Sequence, residues 1–384
     1  MVPALAREVG ARHVHCAEDF GPYGARRDDE VVATLAGQEA ELVRIGSPYA
    51  VPTGTVFTQA GDPFQVFTPF SRAWRAHGWD DPVRRPASPH FPGAGDGVRS
   101  DAVPDAPDVA AEPPRAGEDA AKRRLDRFLD RHVAEYHERR DHPGEPATSR
   151  LSVDLKYGCI HPRQILARLG RQGRAEPKGE QVFRTELCWR EFYADVLASR
   201  PETARESFQP RMKRMRVDDG AEADRRFEAW TEGRTGYPIV DAGMRQLAGE
   251  AWVHNRVRMI VASFLVKDLH VDWGRGARYF LQHLVDGDLA SNNHGWQWTA
   301  GTGTDASPYV RVFNPVLQSK KFDADGTYIH RWVPELRGVD PPLLHEPWKA
   351  GGDLFAASAD RGYPPPIVDH FSERDDALAR YAEL

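Results

Sequence analysis

Two carboxylates, two amides and two tryptophans crowd into the stretch Asp286-Gly-Asp-Leu-Ala-Ser-Asn-Asn-His-Gly-Trp-Gln-Trp298. Such a mixture suits a plain core poorly and reads as a redox site. If Asn292–Trp298 is helical, Asn292 and Trp296 share one face, while Trp298 points elsewhere. One tryptophan then faces a buried cofactor and the other lines a different cavity. The same residues would also serve as a polar loop followed by two ordinary core aromatics.

Three more segments carry chemistry-bearing residues. In Glu186-Leu-Cys-Trp-Arg-Glu-Phe-Tyr193, helical spacing sets Glu186, Trp189 and Arg190 on one face, joining an acid, an aromatic plate and a cation. Trp252-Val-His-Asn-Arg-Val-Arg-Met259 repeats the device, with Asn255, Arg258 and Met259 together and Arg256 turned away. An amide beside a thioether suits a flat heteroaromatic ligand. The hydroxyls and amides of Thr148-Ser-Arg-Leu-Ser152 precede an apolar stretch, where they could hold a phosphate at a helix start or simply cap it. Gly301-Thr-Gly-Thr-Asp-Ala306 has the glycines of a dinucleotide fingerprint, but a helical pattern precedes it where that fingerprint needs a strand.

The elements that must position these groups follow from composition and periodicity. The chain has 384 residues, 40% of them hydrophobic, enough for a large core and about two domains. Up to about residue 80 it reads as part of an α/β layer: helix at Leu5–Val9 and Asp28–Leu35, extended chain at Arg12–Cys16, Leu42–Ile45 and Val56–Phe57. This layer is short, and the spacing implies that the first strands of a doubly wound domain are missing. Residues 81–117 shift to Pro, Gly, Ala and Asp and read as a linker. From residue 118 to 384 amphipathic patterns dominate, at Ala121–Tyr136, Glu186–Ala198, Ile239–Leu247, Trp252–Leu269 and Tyr279–Leu284, so this half should be all-helical.

A net charge of −6 excludes a uniformly basic nucleic-acid coat, so any polyanion site is local. Arg211–Arg216, Asn255–Arg258 and Lys320-Lys321 are the basic clusters. Three cysteines are too few for a disulfide framework, and no structural metal is expected. No apolar run reaches membrane-helix length and no signal peptide is visible, which makes the cytoplasm the expected compartment.

In chain order these segments, together with Thr235-Gly-Tyr-Pro-Ile-Val-Asp-Ala242 and Arg311-Val-Phe-Asn-Pro315, resemble the DNA photolyase and cryptochrome family, most closely its class I cyclobutane pyrimidine dimer photolyases. The resemblance implies a truncated α/β domain followed by a helical domain that holds flavin adenine dinucleotide (FAD). The implied cofactor residues are Tyr136, Thr148, Ser149, Arg150, Leu151, Ser152, Arg190, Arg258, Asp286, Gly287 and Asp288, with Asn292 near the flavin ring nitrogen. Asp286 and Arg258 should form a buried pair. The implied activity is light-driven repair, in which an electron from photoexcited reduced FAD splits a flipped-out thymine dimer and then returns. Glu186 and Asn255 would hydrogen-bond the pyrimidine edge, Met259 would pack on it, and Trp189 and Trp298 would wall its pocket. Arg140, Arg256, Arg311 and Gln318 match positions that meet the DNA strand, so UV-damaged DNA is the expected partner of a monomer.

Departures from the family pattern are also visible. Its tryptophan relay matches Trp296 and Trp273, but the outermost member falls near Arg216-Val217-Asp218, leaving Trp230 or a tyrosine to substitute and photoreduction slow. His294 stands where glycine is common. Tyr23 and Arg26 remain of an antenna pocket that looks incomplete, so a folate or deazaflavin antenna is not assigned. The runner-up is a cryptochrome-like light sensor without repair activity, disfavoured by the dimer-contacting set and by the absence of a long tail after Arg361–Val368. A third reading is a fragment unable to fold around flavin.

Overall fold

The computed structural model describes residues 1–84, 87–88, 98, 100–170, 177–304, 310–341, 343–349 and 362–384. The first helix spans Val2–Glu8, and the strand His13–Cys16 follows it. Helix Pro22–Ala36 starts with proline in its first turn, where the missing N–H costs nothing, and leads to strand Glu41–Arg44. The two strands pair in parallel, His13 with Glu41 through Cys16 with Arg44, as one strand-helix-strand unit. Val56–Phe57 forms no strand; Phe57 makes a single antiparallel bridge to Pro63. Helix Phe67–His77 goes unpredicted by the sequence pattern, although it buries Trp74 completely.

Trp74 belongs to a clamp that ties this part of the chain to the helical half. Its indole N–H donates to Glu191 Oε2 at 2.6 Å, and the backbone N–H groups of Ala50 and Val51 donate to the same carboxylate at 2.6 and 3.1 Å. Burial pushes Glu191 above the usual carboxylate range, while these three donors hold it down. One helical turn on, Asp195 accepts from the Gly54 N–H at 2.7 Å. A Glu191→Gln variant keeps the shape but has one acceptor oxygen for three donors, and its NH2 group opposes an N–H. It should lose about 1–3 kcal/mol of stability, read as an earlier urea midpoint; an unshifted midpoint would refute the clamp.

From Glu118 the described chain is helical. Of the expected linker, residues 100–116 contain no helix or strand, and the Glu112 N–H bonds Gly249 O at 2.9 Å. The helix expected over 121–136 runs over Glu118–Arg131 and a separate turn over Tyr136–Arg139. The break occurs where the start of helix Lys178–Ser199 crosses: a Cβ on Gly179 would lie 1.9 Å from Val133 O. The helix expected over 252–269 runs over Asn255–Lys267. Ala251, with φ of 50°, ends the preceding helix Pro238–Glu250, and His254 Nδ1 caps the next by accepting from the Arg256 N–H at 3.2 Å.

Helices Trp273–His283 and Leu289–Ala300 complete the arrangement around the redox-like stretch. The largest core cluster joins these helices to Pro238–Glu250 and Asn255–Lys267. A second cluster surrounds Trp74, Leu151 and Phe192. No helix among the described residues is long and apolar enough to cross a membrane.

Candidate functional site

The stretch Asp286–Trp298 is a loop followed by a helix. Asp288 caps that helix, accepting from the Ser291 N–H at 2.8 Å. Asn292 and Trp296 fall on one face of it, as their spacing requires. Trp296 is buried, edge-on to Phe280 at 5.1 Å and to Trp230 at 6.1 Å. Gly276 makes room for it: a Cβ there would meet Trp296 at 2.3 Å. Asn292 Nδ2 donates to Ala277 O at 3.0 Å and to Asn293 Oδ1 at 2.9 Å, which leaves its own Oδ1 without a protein donor among the described residues. Trp298 is half-buried, with the Arg311 guanidinium 5.2 Å from its ring centroid.

Ahead of the helix, both Asp286 oxygens accept from Arg258 Nη2, at 2.8 and 3.1 Å. Arg258 Nε donates to Val253 O at 2.8 Å, and the Val285 N–H anchors the loop on Ala251 O at 2.8 Å. Asp286 is buried, whereas the Arg258 side chain stays 26% exposed, so the pair opens on the arginine side. Gly287 closes the turn with its N–H on Leu284 O at 3.1 Å.

Arg190 donates to Pro48 O at 3.0 Å and to Leu155 O at 3.4 Å, and it lies over the Tyr49 ring at 4.5 Å. The Tyr49 hydroxyl is pushed up by burial and then by the Asp288 carboxylate, while Arg190 opposes, so these three groups sit together. Ser149 Oγ accepts from the Leu151 N–H at 3.3 Å, and Ser152 Oγ accepts from the Trp252 indole at 3.2 Å. Leu151 is core, and Thr148 is half-buried beside them. Arg150 holds a left-handed backbone, φ 51°, an uncommon conformation for a side chain of its size. Its guanidinium pairs with Glu250 and lies 4.1 Å over Trp252. Neither partner is legible from local spacing.

A polar group forms where Tyr136–Arg139 meets helix Lys178–Ser199. Arg140 pairs with Glu186, and buried Tyr136 lies against both. Burial raises the Glu186 carboxyl, and Arg140 counteracts it. Arg256 pairs with Asp141 at 3.0 Å and lies 4.4 Å over Phe322. Asn255 is exposed in the first helical turn, with Met259 half-buried one turn later. Between them and Arg140, His254 is held neutral by burial, its pKa lowered to about 4. Arg140 and Arg256, which the resemblance sets against the DNA strand, are each matched to a carboxylate.

Trp189 is half-buried and stacked on Phe67, centroids 3.5 Å apart and planes within 6°. No ring contact joins Trp189 to Trp298 among the described residues; their helices meet through Tyr193 stacked on His294 at 5.5 Å. His294 fills the space a glycine would leave, bonded to Ala290 O at 2.8 Å and Thr203 Oγ1 at 3.1 Å and kept neutral by burial. Trp273 donates its indole N–H to Ser207 Oγ at 3.2 Å. Gln318 is half-buried on helix Pro315–Phe322. Sequence reasoning missed Phe67, Tyr49, Asp141 and Glu191, whose partners lie too far along the chain for periodicity to register. It also missed the grouping of His270 with Glu373 at 2.7 Å and Asp376 at 3.5 Å, whose ligand-like atoms lie within 4.8 Å of one another. Arg380 pairs with Asp376 at 2.7 Å, which makes this an ion-pair network.

Residues 183–383 match the FAD-binding domain of DNA photolyase, and residues 1–89 match a second family described as DNA photolyase. A deoxyribodipyrimidine photo-lyase of Streptomyces griseus is 44% identical over 96% of this chain and 79% of its own length. This chain belongs to the DNA photolyase family. Among solved structures, a class III photolyase from Agrobacterium tumefaciens superposes with a TM-score of 0.89 at 38% identity, covering all of this chain and 81% of its own. A Synechocystis cryptochrome superposes at 0.88 with 27% identity, covering 99% and 81%.

The residues present in this photolyase fit FAD. Asn292 keeps an amide oxygen free of protein donors beside buried Trp296, and the Asp286–Arg258 pair is open on its cationic side. Arg190 and the Ser149 and Ser152 hydroxyls complete a donor set suited to a diphosphate.

Proposed function

We propose that this photolyase splits cyclobutane pyrimidine dimers in UV-damaged DNA, acting as a monomer with the helical region 118–384 as its catalytic part. It is a light-driven repair enzyme, a deoxyribodipyrimidine photo-lyase. One arrangement carries the reading: a single helix sets Asn292 and Trp296 inward and Trp298 beside Arg311, directly after the Asp286–Arg258 pair. When bound, the flavin supplies the photoexcited electron that opens the cyclobutane ring. Tyr136, Thr148–Ser152, Arg190, Arg258 and Asp286–Asp288 would hold it, and the Asn292 amide oxygen would offer it an acceptor.

The lesion leaves the duplex at a cost of about a few kcal/mol, least where pairing is already damaged. Trp189 and Trp298 wall its pocket, Met259 packs on it, and Asn255 hydrogen-bonds the pyrimidine edge. Glu186 does so from a position fixed by Arg140, and burial favours its protonated, donating form as pH falls. Glu186, Asn255 and Met259 together support the class I, cyclobutane-dimer reading over six-four repair, for which histidines would be expected around Asn255 and Met259. Relay electrons pass inward through Trp296 from Trp273. Trp230 touches Trp296 at 6.1 Å and half-buried Tyr279 at 5.7 Å, and it offers the substitute branch.

The test is blue-light repair of a dimer-containing oligonucleotide by chemically reduced protein. Repair should occur in the parent and fall steeply in Glu186→Ala and Asn255→Ala, with no repair of a six-four photoproduct. Flavin-loaded parent protein inactive in light would leave the cryptochrome-like sensor reading. Binding should also weaken with salt, with a log-log slope of about −2 to −3 if Arg140, Arg256 and Arg311 neutralise phosphates. A flat salt response would rule out this DNA face.

A further inference from the structure

A cavity of about 270 Å³ lies where helix Trp273–His283 begins, between the short turn Pro210–Arg214 and the C-terminal helix His370–Ala382. The segment on which the resemblance places the outermost relay tryptophan, Arg216-Val217, forms part of its wall. Trp273, 6% exposed to solvent, lines it together with Ser207, the acceptor of the Trp273 indole N–H. Thr302 lines it too and is buried, yet its Oγ1 has no hydrogen-bond partner among the described residues. A buried hydroxyl without a protein partner is uncommon and is satisfied by a water or a ligand in the cavity.

The wall carries the cations Arg205, Lys213, Arg216 and Arg380 against two carboxylates, Glu206 and Asp272. Two of its cations are already engaged, Lys213 with Glu206 and Arg380 with Asp218 and Asp376. Arg216 has carboxylates only at 3.5 and 3.9 Å, and Arg205 has none within 4.0 Å among the described residues. Both are exposed. The space therefore offers an indole, a hydroxyl awaiting a partner and two underused guanidiniums, which suits a small, singly charged, hydroxylated anion.

We propose that this cavity binds an anionic reductant of the enediolate class, which re-reduces Trp273 where the family pattern has a further tryptophan. The proposal rests on the reading that Trp273 passes an electron inward to Trp296. Having done so, Trp273 is an indole radical cation. The enediolate monoanion gives it one electron, Trp273 returns to the neutral indole, and the reductant becomes a neutral radical. That radical loses its hydroxyl proton to water at the mouth and leaves as a radical anion. No bond other than that O–H is broken.

Ascorbate is the probe, applied to flavin-loaded protein. In the dark, calorimetry should show saturable binding that weakens at least tenfold in Thr302→Val and Arg205→Gln and vanishes in Val217→Trp, which fills the space. In light, the tryptophan radical should decay faster with ascorbate and reach a plateau at the same concentration, and Trp273→Phe should abolish that dependence. All three cavity variants, Thr302→Val, Arg205→Gln and Val217→Trp, should repair normally once chemically reduced. Absence of heat in the parent, or decay that rises linearly without a plateau and is indifferent to Thr302→Val, overturns the proposal. Saturable, variant-sensitive binding with no radical in the light would keep the binding site but overturn the role of Trp273 as relay.

Discussion

Asp286→Ala protein should purify almost free of flavin. In the parent both carboxylate oxygens engage Arg258 Nη2, and the aspartate is buried while the guanidinium is only partly so. Removing one partner of a buried pair costs about 3–5 kcal/mol, chiefly because the other charge is left uncompensated. Arg258 can turn a quarter of its surface to water, so the lower end applies, about 3 kcal/mol or about a hundredfold in cofactor affinity. The loop also loses part of what holds it at the start of helix Leu289–Ala300, although Val285 stays bonded to Ala251. The check is the ratio of flavin to protein absorbance after purification, alongside a melting curve. Adding Arg258→Ala to Asp286→Ala should restore some stability, since it removes the orphan charge, but no flavin. Stoichiometric flavin in Asp286→Ala would show that the pair is structural only.

Local spacing made the helical half legible, and long-range partners stayed hidden for a definable reason. Asn292 and Trp296, or Asn255 and Met259, are related by one helical turn, and a turn is written in the sequence. The Arg258–Asp286 pair was inferred from the resemblance, and the structure shows it directly. Pairings such as Trp74 with Glu191, Phe67 with Trp189 and Arg140 with Glu186 join residues 117, 122 and 46 positions apart. No periodicity encodes those distances. The sequence reading therefore matched Arg140 and Arg256 to strand-contacting positions without seeing their carboxylate partners, Glu186 and Asp141. Each proves to be held by a carboxylate, which fixes its position and lowers its affinity for anions at once. Element ends were blurred for a similar reason: the break after Arg131 is imposed by Gly179 arriving from another helix, not by any stop residue of its own.

The two tryptophans proposed to wall the lesion pocket, Trp189 and Trp298, should respond differently to truncation. Trp298 has a cation over its ring and no aromatic partner among the described contacts, so Trp298→Ala should weaken binding of dimer-containing DNA and leave stability nearly unchanged. One base stack is worth about 1–3 kcal/mol, or about 5- to 150-fold in affinity. Trp189 lies flat on Phe67 at 3.5 Å and edge-on to Phe192 at 5.8 Å, so Trp189→Ala should weaken binding by a similar factor and lower the melting temperature as well. Phe67 then becomes a discriminating position. It supports Trp189 from behind, and Phe67→Ala should loosen the wall and reduce dimer affinity severalfold. In a double-mutant cycle the Phe67 and Trp189 losses should be less than additive, because either change alone removes the stack. Fluorescence anisotropy with damaged and undamaged oligonucleotides separates the effects: the losses belong to damaged DNA, since an unflipped base never reaches the pocket. Equal losses on undamaged DNA would mean that these rings grip the strand rather than the lesion, and the pocket would have to lie elsewhere.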